Sequence, residues 1–95
     1  MAEIDVQTTS EGEPWTFQVT VSEGGSQTTH RVEVSRDAYA RLTNEACGPD
    51  ELVRRSFEFL LERESKESIL GEFDITVIAR YFPEYEREIA ERIRS

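Results

Sequence analysis

Only one cysteine, Cys47, and one histidine, His30, occur in the 95 residues. A lone cysteine closes no internal disulfide, and this pair cannot supply the Cys/His set that tetrahedral zinc requires. Lysine is as scarce: Lys66 stands alone, and the other ten basic residues are arginine. No apolar run approaches the ~20 residues of a membrane span, and no charged-then-apolar leader opens the chain. A cytoplasmic location without membrane association is the expectation that follows.

What is abundant is acid. Twenty Asp and Glu against eleven basic residues leave a net charge of −9. Such a balance repels a nucleic-acid backbone and an anionic bilayer as whole-molecule partners. Excess carboxylate with little lysine fits either GC-rich codon usage or adaptation to a salty cytoplasm. A chain of this length forms one domain, 1–95, and has to commit most of its large apolar residues to the core.

The first third reads in period two. Ile4, Val6 and Thr8 alternate with polar residues, as do Trp15, Phe17, Val19 and Val21, and then Thr28, His30, Val32 and Val34. That pattern predicts an antiparallel three-stranded meander over 1–34 with one buried face. Parity fixes candidate registers, because a one-residue slip turns every side chain over. A turn at Glu23-Gly24-Gly25-Ser26 sets Val19 opposite His30, Phe17 opposite Val32 and Trp15 opposite Val34. The loop around Glu11–Pro14 sets Thr8 opposite Trp15, Val6 opposite Phe17 and Ile4 opposite Val19.

From Ser35 the period changes, and residues 35–95 read as three to four helices packed on one sheet face, an α+β fold. Ser35 caps a short helix with Ala38, Tyr39 and Leu42 inward. Pro49 suits the first position of a second, running to about Glu64, with Leu52, Val53, Ser56, Phe57, Leu60 and Leu61 at helical spacing. Beyond Ser65 come a turn carrying Ile69 and Leu70 and a bend at Gly71–Asp74. A helix through Ile75, Ile78, Ala79 and Phe82 follows, then a last one from Glu84 to Arg94.

No residue set for catalysis is apparent. His30 falls on the apolar face of a strand, without a nucleophile or orienting carboxylate at a useful spacing. Cys47 precedes a helix start, where a thiolate can be stabilised, yet an incidental, partly buried thiol fits the same position. Gly24-Gly25 lies between strands and so reads as a hairpin rather than a phosphate loop. No Asp-rich calcium loop occurs. Neither a metal nor a cofactor is expected, and the chain is not expected to be an enzyme.

The most unusual local feature is the aromatic group Phe73, Tyr81, Phe82 and Tyr85 around Pro83. It reads either as core packing of the last helix or as an exposed surface for a protein partner or a second copy.

The stretch 51–64 (ELVRRSFEFLLERE), followed by Ser68-Ile69-Leu70, Phe73, Val77-Ile78 and Tyr81-Phe82-Pro83-Glu84-Tyr85, resembles a group of short standalone bacterial proteins of unknown function. Residues 32–42 (VEVSRDAYARL), then 52–57 (LVRRSF) and Leu60, are similar to ribbon-helix-helix modules. That second resemblance implies a dimeric DNA-binding regulator or antitoxin, with Thr29 and Arg31, beside Glu33, facing the major groove. Glu33 and the net charge make nucleic acid the lesser expectation. The leading one is a non-catalytic protein-interaction or accessory module, self-associating through the C-terminal aromatics.

Overall fold

Two glycines set the tightest turn of the sheet. Gly24 and Gly25 both adopt positive φ, 63° and 82°, the two-residue geometry whose twist matches that of flanking antiparallel strands. The hairpin it closes joins β2 (Trp15–Glu23) to β3 (Ser26–Val34). Its register places Val19 opposite His30, Phe17 opposite Val32 and Trp15 opposite Val34, as parity requires. The turn is tighter than the four-residue version, since Glu23 and Ser26 themselves pair.

A computed structural model describes residues 2–94. In it β1 (Glu3–Ser10) pairs antiparallel with β2, but two residues away from the predicted register. Ile4 faces Val21, Val6 faces Val19 and Thr8 faces Phe17. A bulge between Thr8 and Ser10 shifts the pairing by one further residue, so that Ser10 faces Thr16, and the Thr9 hydroxyl donates to the Thr16 carbonyl at 3.1 Å. The buried face is the same in either register, because a two-residue slip preserves side-chain direction.

The predicted three-stranded meander gains a fourth strand. β4 (Glu72–Asp74) lies parallel to β3, pairing Val32 with Phe73, where a bend was expected. The sheet is therefore mixed, in the order β1-β2-β3-β4. Phe17, Val19, Val21, Val32 and Val34 are fully buried on one face, whereas Asp5, Gln7, Gln18, Thr29 and Arg31 are exposed on the other.

The connection from β3 to β4 carries the first two helices on the apolar face. In α1 (Arg36–Thr43) the Ser35 hydroxyl accepts from the Ala38 N–H at 3.0 Å. Asn44 and Glu45 then turn the chain through left-handed φ values of 51° and 60°, and Pro49 opens α2 (Pro49–Leu61). After a 3-10 turn at Lys66–Ser68 and β4 come a second 3-10 turn, Ile75–Val77, and the short α3 (Ile78–Tyr81). The last element is α4 (Tyr85–Arg94). It packs against α1 and α2, while α2 lies across β1 and β2. The predicted single layer of helices is thus two deep at this end.

Candidate functional site

α2 is buried along two stripes, and they end differently. Leu52, Ser56 and Phe59 follow helical spacing on one side; Val53, Phe57 and Leu60 follow it on the other, and all six are buried. Phe59 was not among the residues expected inside. It makes an edge contact with Tyr85, ring centroids 5.3 Å apart, and another with Phe82 at 5.9 Å.

The first stripe is closed by α4. Tyr85 is fully buried, and its hydroxyl lies 2.6 Å from Ser56 Oγ, which itself donates to the Leu52 carbonyl at 2.7 Å. Ser56 has one proton to give, so Tyr85 is the donor to it. Burial pushes the Tyr85 phenol far above its ordinary value, against the opposing effect of Ser56. Where the stripe leaves the helix, Arg63 stacks over the Phe59 ring at 3.6 Å and pairs with Glu84 at 3.1 Å and Glu88 at 3.0 Å. Arg92 pairs with Glu62 beside it. The Glu84 carboxyl is held below the ordinary carboxylate value by its own backbone N–H and then by Arg63, and Arg92 does the same for Glu62.

The second stripe is open at its end. Phe57 stacks with Phe73 (6.1 Å) and His30 (5.3 Å) inside the core. Past Leu60 the surface sinks into a cavity of about 170 Å³, walled by Ile69, Phe73, Val77, Ile78 and Phe82. Leu70 and Tyr81 stand on its rim at 46% and 65% exposure, the large apolar side chains left most exposed among the described residues. The helical spacing of the stripe continues to Glu64, whose N–H still donates to the Leu60 carbonyl. Its half-buried side chain lines the cavity. Burial alone pushes the Glu64 carboxyl up from its ordinary value; among the described residues no cation offsets it.

The four aromatics singled out by sequence therefore separate. Tyr85 belongs to the core, and Phe73 is a buried wall (7% exposed). Phe82 is half-buried, and Tyr81 alone presents its ring to solvent. Leu70, Ile78 and Glu64 belong to the same site but carried no signal beyond ordinary helix and turn composition.

The remaining candidates sit elsewhere. His30 is buried with Nδ1 2.8 Å from the Leu70 carbonyl and Nε2 2.8 Å from Thr28 Oγ1. A carbonyl only accepts, so Nδ1 carries the proton and Thr28 donates to Nε2 in the neutral ring. Both ring nitrogens are thus hydrogen-bonded within the fold. Cys47 is pushed up by burial and by Glu51, the reverse of thiolate activation. Lys66 is buried, its ammonium 2.6 Å from Glu67. Among the described residues no group of three or more His, Cys, Asp or Glu is placed to hold a metal ion. No helix there is long and apolar enough to cross a membrane.

Thr29 and Arg31 lie on the open sheet face, away from the cavity. Arg31 is 3.7 Å from Glu72, and its backbone N–H donates to the Gly71 carbonyl at 2.8 Å. Over Arg31–Glu33 both edges of β3 are therefore taken, by β2 and β4.

No protein-family model matches the chain, and neither a curated protein nor a solved structure gives a match.

Proposed function

We propose that this is a non-catalytic binding module that takes a protein partner in the apolar groove between the end of α2, the Ile69–Phe73 segment and α3. One observation carries the reading: Leu70 and Tyr81, on opposite sides of β4, are both exposed and both rim the same cavity. Scattered exposed apolar residues need no explanation, whereas exposed ones converging on a concavity mark a contact surface.

Size narrows the mode. Drug-sized ligands and cofactors occupy roughly 300–1,000 Å³, and an apolar cavity of about 150 Å³ holds one benzene-sized group. A groove of about 170 Å³ suits a single anchoring side chain. Self-association fits less well, since a standard interface covers roughly 800 Å² per partner and two rim side chains supply a small part of that. The ribbon-helix-helix reading has the exposed Thr29 and Arg31 in its favour. It is opposed by the acidic neighbours Glu72 and Glu33 and by the paired edges of β3.

The test is an amide and methyl chemical-shift titration with small apolar alcohols. Shifts should saturate together at Leu70, Ile78 and Val77 and vanish in Leu70→Ser/Tyr81→Ser. Shifts spread evenly over the surface, or unaffected by those substitutions, would remove the groove as the site.

A further inference from the structure

We infer that the occupant of the groove is a basic segment of a partner protein, one aliphatic or aromatic side chain seated on Phe73 and Ile78 with a Lys or Arg beside it reaching Glu64. This rests on the groove reading above and adds the chemistry of the partner.

Charge at the site carries the inference. The carboxylates around the end of α2 are nearly all spoken for: Glu62 by Arg92, Glu67 by Lys66, and Glu84 and Glu88 by Arg63. Glu64 lies among them on the cavity wall, and the balance of forces on its carboxyl contains burial and no cation. A half-buried carboxylate against apolar surface, without a counter-ion, is a cost the folded protein carries in the free state. An ammonium or guanidinium delivered by a partner removes that cost upon binding, and the apolar seat next to it fixes the register. The net charge of −9 adds long-range attraction for a basic partner and repulsion between two copies of this chain. The volume of about 170 Å³ admits one anchor side chain, which a short segment is enough to present.

A random dodecapeptide display library selected on the full chain tests this. Selected peptides should carry an apolar residue flanked by Lys or Arg. Their affinity should drop about threefold in Glu64→Gln and tenfold or more in Glu64→Lys, and it should be lost in Leu70→Ser/Tyr81→Ser. Circular dichroism of each variant checks that it folds, and the conservative Gln variant covers a misfolded Lys one. Peptides that lack basic residues, or that ignore both Glu64 substitutions yet require Leu70 and Tyr81, would overturn the basic segment and leave the groove standing. Failure to enrich any peptide, or binding indifferent to Leu70 and Tyr81, would overturn both. A sedimenting dimer that Tyr81→Ser dissociates would put a second copy in the groove and overturn the inference.

Discussion

The two stripes of α2 start alike, each with a buried aliphatic and a buried phenylalanine, and part at their C-terminal ends. The stripe through Leu52, Ser56 and Phe59 runs into Arg63, which Glu84, just before α4, and Glu88, within it, hold in place. The stripe through Val53, Phe57 and Leu60 runs into Glu64 and an open cavity. Tyr85 and Tyr81 repeat the contrast on either side of Pro83: one fully buried, the other 65% exposed. The molecule uses the same residue types to seal one side and to leave the other unfinished. The difference lies in whether a later element covers them.

The sharpest way to break this comparison is to truncate both tyrosines. Tyr85→Ala empties a fully buried site and should cost about 3–5 kcal/mol in urea unfolding. Tyr81→Ala should stay within about 0.5 kcal/mol of the parent. Equal costs would mean that the two sides are not distinct.

A smaller effect tests the sealed side alone. Ser56→Ala strands the buried Tyr85 hydroxyl and should cost about 1–3 kcal/mol. Tyr85→Phe should cost less, because Ser56 keeps its bond to the Leu52 carbonyl. Because the Tyr85 phenol is raised in the folded state, its contribution is complete below the ordinary tyrosine value of about 10 and is lost as pH rises beyond it. Alkaline unfolding should accordingly shift to higher pH in Tyr85→Phe relative to Ser56→Ala.

Acid separates the two sides in opposite directions. Glu62 is lowered by Arg92, and Glu84 by its own backbone N–H and then by Arg63, so their contribution is present above the ordinary value of about 4.3 and is lost as pH falls. Glu64 is raised, so its charged form weighs against the fold once pH rises through that range. Arg63→Gln should flatten the loss of stability between pH 6 and pH 3. Glu64→Gln should stabilise the protein at pH 7 by at most about 0.5 kcal/mol, since the group remains partly solvated, and the gain should vanish at pH 3. Thermal melts across that pH range read both.

Much of the sheet was legible. Strict alternation through Trp15–Val21 and Thr28–Val34, joined by Gly24-Gly25, leaves one good register, and the strands adopt it. Parity could not separate two registers of β1 that differ by two residues, because both bury the same face. β4 has three residues and one apolar side chain, Phe73, too little for any period; it exists because β3 meets it in space, Val32 beside Phe73 and the Arg31 N–H on the Gly71 carbonyl. Helix α2 is so rich in apolar residues that its spacing hid Phe59 on the stripe it shares with Leu52 and Ser56. The fate of the aromatic group was hidden for another reason. Pro83 breaks the helical phase between Tyr81 and Tyr85, so no periodicity relates the direction of one to the other. The groove depends on that break, and on a turn at Ile69-Leu70 that only the assembled fold brings alongside.

The most direct test of the open side is an amide chemical-shift map of the full chain with a selected basic dodecapeptide added. The account predicts saturating shifts confined to Glu64, Leu70, Ile78, Tyr81 and Phe82. Shifts centred on Thr29 and Arg31 across the open sheet face, with the groove silent, would contradict it.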